Sequence, residues 1–332
     1  MTASELREPV EAASGPLIVA LDVGGTKVAA GVVSLPDDGS MPSVSGRRSV
    51  PTRAQEGGAA LLERMVALAG TVLDECAGRG LAVAGIGIAA AGVPDSRTGR
   101  IISATDILPG WAGQDVYGAF RAAYDLPVHM IGDVGAHGLG EAVYGAGRDG
   151  GVVLSIGVGT GIGGAIVIGG RLFAGAHGMA GHAGHVASGA GEGFLCSCGT
   201  RSGHIEPVAS GGGLASLYNA TLPEGVRRAD DGRDVCLRAR RGETYAVDVL
   251  RRGGRALGAC VAGMANLIDP DVVVCSGSVV DAGEPWWEGL REGYADGALP
   301  LVASVPLQRG SLGGDAPLIG AAHALRTDGV VR

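Results

Sequence analysis

The chain has 332 residues, 46% of them hydrophobic and 18% charged, enough to fill one large core or two ordinary ones and too apolar for a disordered protein. A formal net charge of −8 without a Lys/Arg cluster excludes a general nucleic-acid binder, and no apolar run reaches the roughly 18 residues of a membrane helix. Glycine stands out at 62 residues against 3 Phe and 3 Trp, with no collagen-like period, so many tight backbone approaches are expected.

The stretch from Met1 to Gly15 carries Glu5, Glu8 and Glu11 and lacks the apolar centre of a signal peptide. With no secretion signal, the 6 cysteines read as cytosolic thiols, or as metal ligands where they cluster, and the expected location is cytoplasmic. An apolar run from Leu17 to Leu21 ends in Asp22-Val-Gly-Gly-Thr-Lys27, and a second run from Val28 to Leu35 follows at once. Strand, glycine turn, strand is the expected arrangement. Residues 34 to 58, rich in Gly, Asp and Arg, are expected to be a surface loop or a poorly packed helix. Between Ala59 and Ala77 the apolar residues recur at helical spacing, and Val83 to Ala89 reads as a buried strand. The apolar segment Pro127 to Ile131 should be a strand that ends just before Asp133. Gly151 to Ile156, the glycine run 157–164 and Ala165 to Ile168 repeat the opening pattern, which predicts two related α/β halves with a boundary near Val128. Pro223 to Gly242 is expected to be loop or poorly packed helix. Tyr245 to Ile268 is expected to be helical despite Gly253-Gly254, with Asp269-Pro270 as its stop. Val272 to Cys275 reads as a strand running into Ser276-Gly-Ser278, and Asp315 to Arg326 as a last helix.

Glycine turns let consecutive backbone N–H groups converge on an anion. Gly24-Gly25-Thr26-Lys27 adds a hydroxyl and an ammonium but lacks P-loop spacing. Gly159-x-Gly161-x-x-Gly164 fits a dinucleotide fingerprint in letters only, because a β-like run follows it and the next acidic residue is Glu192. One such turn alone reads as a tight hairpin; two matched turns point to a phosphate cradle. Farther along, His182, His185, Cys196, Cys198 and His204 fall in one short glycine-rich stretch whose S and N donors suit tetrahedral Zn²⁺. Two buried thiols beside ordinary loop histidines is the alternative, and His177 or His182 remains open as the fourth ligand.

Asp22-Val-Gly-Gly-Thr-Lys27 and Gly159-Thr-Gly-Ile-Gly-Gly164 resemble the phosphate loops of the ROK sugar kinases. The likeness continues through Gly85-Ile-Gly-Ile88, Gly92-Val-Pro-Asp95, Leu108-Pro-Gly-Trp111, Leu126-Pro-Val128, Gly140-Glu141, Asn266-Leu-Ile-Asp-Pro270 and Gly320-Ala-Ala322. It implies an α/β fold with two ribonuclease-H-like (actin-like ATPase) domains around a central cleft. The smaller would comprise residues 16–127 plus 315–332, with the first phosphate loop. The larger would be 128–314, with the catalytic Asp, the second phosphate loop and the zinc loop.

The resemblance makes Asp133 the catalytic base, although a helix N-cap before Val134 to Tyr144 would also use Asp. Asp22 would orient Mg²⁺, unless it is an ordinary turn Asp. Gly24, Gly25, Thr26, Lys27, Thr160, Gly161, Gly164 and Gly277 would contact ATP. Gly92, Thr105, His182, His185 and Glu206, together with Asp133, would face the acceptor; Thr105 reads equally as a turn hydroxyl. The family's structural zinc of one His and three Cys maps onto His185, Cys196 and Cys198, with His204 replacing the third cysteine.

Three departures fall on the acceptor side: Gly132 and Gly135 stand where the family has Asn, and His182 where it has Glu. Each lost partner leaves a buried sugar hydroxyl unpaired at about 1–3 kcal/mol. The expectation is an ATP-dependent kinase of a primary hydroxyl on a hexose or hexose-like acceptor, not a standard glucokinase. An amino sugar or a C7-cyclitol is the alternative acceptor. A sugar-responsive regulator or a non-catalytic sugar-binding protein are the other classes, and the resemblance also implies a homodimer.

Overall fold

The computed structural model describes residues 15–199, 202–220, 222, 224–327 and 330–331, so Glu5, Glu8 and Glu11 lie outside the described residues. The chain runs through β1 (Leu17–Val23), β2 (Lys27–Ser34), β3 (Ser43–Pro51), α1 (Gly58–Ala77) and β4 (Val83–Ala90). Next come β5 (Val93–Asp95), β6 (Arg100–Ser103), α2 (Val116–Ala123), β7 (Val128–Gly132) and α3 (Asp133–Tyr144). There follow β8 (Val152–Val158), β9 (Ile162–Ile168), β10 (Arg171–Phe173), α4 (Glu206–Ala209), α5 (Gly211–Ala220), α6 (Gly232–Arg240) and α7 (Thr244–Ile268). The remainder is β11 (Val272–Ser276), α8 (Glu284–Gly297), β12 (Leu307–Arg309), α9 (Ala316–Thr327) and β13 (Val330–Val331). Two compact units result. The first holds the chain up to Arg148, Ile168–Ala180 and the residues from Gly314 on; the second holds Asp149–Val167 and Gly181–Gly313.

In the first unit the strands lie in the order β3-β2-β1-β4-β7. β1 and β2 form the expected hairpin, Leu21 opposite Ala30 and Val23 opposite Val28, while β1, β4 and β7 run parallel. Both faces of β1 are buried, which is why its residues read as a continuous apolar run rather than an alternation. Helix α1 lays Leu61, Met65, Leu68, Val72 and Cys76 on one core with β1, β2 and β4, the spacing of one helical face. Helix α9 carries α3: a Cβ on Gly320 would strike the Ala136 carbonyl, and one on Gly140 would lie 2.3 Å from the Ala316 carbonyl.

The second unit repeats the theme with β12-β11-β8-β9. β8, β11 and β12 are parallel, and the three residues joining β8 to β9 permit only an antiparallel return. Helix α7 keeps Gly253-Gly254 without breaking because it needs them: a Cβ on Gly254 would sit 2.2 Å from the Trp286 carbonyl of α8. Asp269 ends α7 in the left-handed region at φ 53.

Three expectations change. Residues 34 to 58 hold a nine-residue strand, β3, paired antiparallel to β2. Within Pro223 to Gly242 (Pro223 itself lies outside the described residues) α6 packs firmly. Its Arg238 is buried at 8% exposure, ion-paired to Asp234 and donating to the Arg227 and Arg228 carbonyls. Nor does the first unit stop near Val128, because β7 pairs with β4 and α3 packs on α9, so Asp133 belongs to the first unit and not the second.

Candidate active site and metal centre

At the carboxyl ends of the three parallel strands of the first unit, Asp22 lies beside Ala89, Ala89 beside Ile131 and Ala90 beside Gly132. Carboxyl ends of parallel strands are where α/β sheets present their ligand groups. Asp133 follows one residue after β7. The helix cap is Gly132, and Asp133 is the first residue of α3; its Oδ1 accepts from the adjacent Val134 N at 2.9 Å. It therefore does not serve as the N-cap, which leaves its carboxylate available. Burial pushes the Asp133 carboxyl up to about 6; the Val134 amide opposes this and the charge of Asp22 adds to it. Asp22 is also raised by burial, with Lys27 pulling it back.

The first glycine turn closes with Gly24 N donating to the Lys27 carbonyl at 3.0 Å, and Thr26 and Lys27 are exposed at its tip. Thr52, at the end of β3, fastens it: Thr52 Oγ1 donates to the Gly24 carbonyl at 2.7 Å and Thr52 N to the Thr26 carbonyl at 2.9 Å. Thr52 is fully buried, and sequence reasoning missed it. Gly92 adopts φ 89, a conformation that needs glycine. Thr105 is exposed and opens a turn in which Leu108 N donates to its carbonyl at 3.1 Å. A Cβ on Gly132 would meet only the Gly92 carbonyl at 3.8 Å and Pro94 at 3.9 Å, so a side chain there has room. At Gly135 the same space is taken by Leu172, 2.9 Å from such a Cβ.

In the second unit the turn comprises Gly159, Thr160 and Gly161, closed by Gly159 N donating to the Gly161 carbonyl at 2.9 Å; Gly164 already belongs to β9. Glu206, the first residue of α4, reaches this turn: Oε2 accepts from Ile162 N at 2.9 Å. Gly277, at φ 96, lies against β8, where a Cβ would be 2.4 Å from the Val158 carbonyl. Beside it the buried Ser276 Oγ has no hydrogen-bond partner among the described residues. Three residues on begins a cavity of about 670 Å³, lined by Val280, Asp281, Trp287 and three arginines, Arg240, Arg291 and Arg309.

His185, Cys196, Cys198 and His204 bring one donor atom each within 4.8 Å of one another. Cys196 Sγ is 3.4 Å from His185 Nδ1, and Cys198 Sγ is 3.6 Å from His204 Nδ1. Zn–S and Zn–N bonds in a tetrahedron give an N···S edge of about 3.5 Å, so the donor set fits that ion. His182 lies outside this group of four, exposed, its ring stacked 6.3 Å from that of His185.

Two halves that each open with a hairpin around a glycine turn, and a buried carboxylate at the end of a parallel strand, define an actin-like ATPase fold. The chain belongs to the ROK family, whose model matches residues 18–327. It is 33% identical to a glucokinase of Streptomyces coelicolor over 93% of this chain and 98% of that one. It is also 33% identical to an N-acetylmannosamine kinase of Yersinia pseudotuberculosis, with the same coverage. Among solved structures, a ROK hexokinase from Thermus thermophilus superposes with a TM-score of 0.79 at 31% identity, covering 94% of this chain and 98% of its own. The activity class is that of an ATP-dependent sugar kinase. A ROK transcriptional regulator at 23% identity shares the fold alone. No helix among the described residues is long and apolar enough to cross a membrane.

Proposed function

We propose that the chain transfers the γ-phosphoryl group of ATP to a primary hydroxyl of a hexose-like acceptor whose ring contacts differ from those of glucose, with Asp133 as the base. The observation that carries this is the buried, uncapped Asp133 carboxyl beside Asp22, raised to about 6 and so ionised, yet still basic, near neutral pH. The acceptor oxygen forms its bond to the γ-phosphorus as its proton passes to Asp133, and the bond from that phosphorus to the β,γ-bridging oxygen breaks to release ADP. Asp22 would hold hydrated Mg²⁺, which when bound neutralises phosphate charge. In the first unit Thr26 and Lys27 would offer a hydroxyl and an ammonium to phosphate, and in the second Thr160 and Gly161 would offer a hydroxyl and amides. The nucleoside end would lie against Gly277, where Ser276 Oγ has no partner among the described residues, and extend toward the arginine-lined cavity.

His185, Cys196, Cys198 and His204 would hold a structural Zn²⁺, fixing the loop that carries His182 and leads into Glu206. Metal analysis, and the visible absorption of a Co²⁺-substituted sample, test this ligand set without reference to turnover. On the acceptor side, the open space at Gly132 supports a bulkier or differently substituted ring, an amino sugar or a cyclitol bearing a hydroxymethyl group. The equal similarity to a glucokinase and to an N-acetylmannosamine kinase fits that range. A cytoplasmic homodimer completes the reading, with sedimentation as its test. Phosphate transfer from ATP across hexoses, N-substituted hexosamines and cyclitols decides the acceptor; efficient phosphorylation of glucose with none of the others would sink the proposed divergence.

A further inference from the structure

Family resemblance gives Glu206 an acceptor-binding role, and each of its oxygens in addition accepts from the protein, which leaves further lone pairs for an acceptor. Oε2 accepts from Ile162 N at 2.9 Å, and Oε1 accepts from Ser197 Oγ. The carboxylate fits because two side chains are missing around it: a Cβ on Gly161 would lie 2.6 Å from Oε2, and one on Gly184 would lie 3.1 Å away. Gly161 belongs to the phosphate turn, whereas Gly184 directly precedes His185. Ser197 stands between Cys196 and Cys198, and Cys196 Sγ is 4.0 Å from Oε1. The carboxylate thus joins the metal-ligand loop to the first amide after the phosphate turn.

By holding the amide at the outgoing end of the turn, Glu206 fixes the backbone from which residues 159–161 present their own amides. We infer that Glu206 is a positioning residue for the phosphate turn. Through Ser197 it passes the order imposed on the Cys196–Cys198 loop to Ile162, so that occupancy of the metal centre sets nucleotide affinity. This rests on reading residues 159–161 as a phosphate turn and the four donors as a metal centre.

The test uses the full chain, with metal content by mass spectrometry and the dissociation constant of a non-hydrolysable ATP analogue by calorimetry, alongside KM for the acceptor. Ser197→Ala removes the link without touching a metal ligand. It should keep its metal, leave acceptor KM unchanged and weaken the analogue about fivefold, the worth of one net hydrogen bond. Glu206→Ala should weaken it more than tenfold, as expected for a bond to a charged group, while Glu206→Gln, which keeps an oxygen for Ile162 N, should recover most of that loss. Chelated wild-type protein should resemble Ser197→Ala. An unchanged analogue affinity in Ser197→Ala and in chelated protein, with only acceptor KM rising in Glu206→Ala, overturns the inference. A wild-type chain that binds no analogue at all would instead remove the phosphate-turn reading beneath it. Circular dichroism separates any variant that fails to fold, and Ser197→Ala alone then decides.

Discussion

The two glycine turns are alike in sequence and are held by different chemistry. The first is fastened by a neutral hydroxyl, Thr52, from the end of an edge strand. The second is fastened by a carboxylate, Glu206, whose other oxygen is committed to the loop between two cysteines. A turn clamped by a hydroxyl depends only on the fold around it. One clamped through the Cys196–Cys198 loop also depends on that loop keeping its shape, and under the proposed metal site it would become conditional on the ion.

The largest expected effect isolates the base from both turns. Asp133→Asn should lower kcat by about 10²–10⁴-fold while nucleotide affinity stays as it was, read by steady-state kinetics and calorimetry. The same variant has a stability signature. Folding raises this carboxyl above its unfolded value, so the folded state binds the proton more tightly and loses stability as pH rises through about 6. Removing the charge should therefore raise Tm at pH 8 by about 2–4 °C, the shift that accompanies 1 kcal/mol.

Next in size is the pH profile of kcat/KM, which should be level above about 6 and fall close to tenfold per unit below it, because a protonated Asp133 cannot accept the acceptor's proton. A profile with no limb there would separate turnover from Asp133 altogether. Smaller still, Thr52→Ala should weaken nucleotide binding about fivefold, with Thr52→Ser restoring it. Unlike the variants at the second turn, its loss should be the same with and without chelator. The losses of Thr52→Ala and Ser197→Ala should add within about 0.5 kcal/mol if the two clamps are independent. The smallest effect is a gain: Gly132→Asn, at an extended backbone position with room for a side chain, should raise kcat/KM for glucose severalfold, the scale of about one hydrogen bond.

How much of this was legible depended on whether the signal was local. The hairpins around Gly24 and Gly159, the α1 face and the Cys196/Cys198 donor set with its flanking histidines all announce themselves within short windows. β3 did not, because Gly46, at φ 59, opens a register shift opposite Ala30 to Val32 and breaks the two-residue alternation. Thr52 and Glu206 were hidden as clamps for a different reason. Their partners lie 28 and 44 residues away, and nothing near a threonine or a glutamate says which distant amide or carbonyl it will meet. The boundary at Val128 failed because no composition change marks it; only the β4–β7 ladder and the α3–α9 contact assign that segment to the first unit.

That last contact has a kinetic consequence. Tyr144 on α3 meets His323 on α9 across 179 residues of sequence, and Gly140 and Gly320 seat each helix directly on the backbone of the other. The second unit is inserted in the first as two segments, Asp149–Val167 and Gly181–Gly313, so the helix that begins with Asp133 gains its supporting partner only after both have been synthesised. Loop closure of this length makes completion of the first unit a late, high-contact-order event during folding. A nascent chain would consequently own both glycine turns and the Cys196–Cys198 loop before α3 was fixed, and phosphoryl transfer would be the last property to appear.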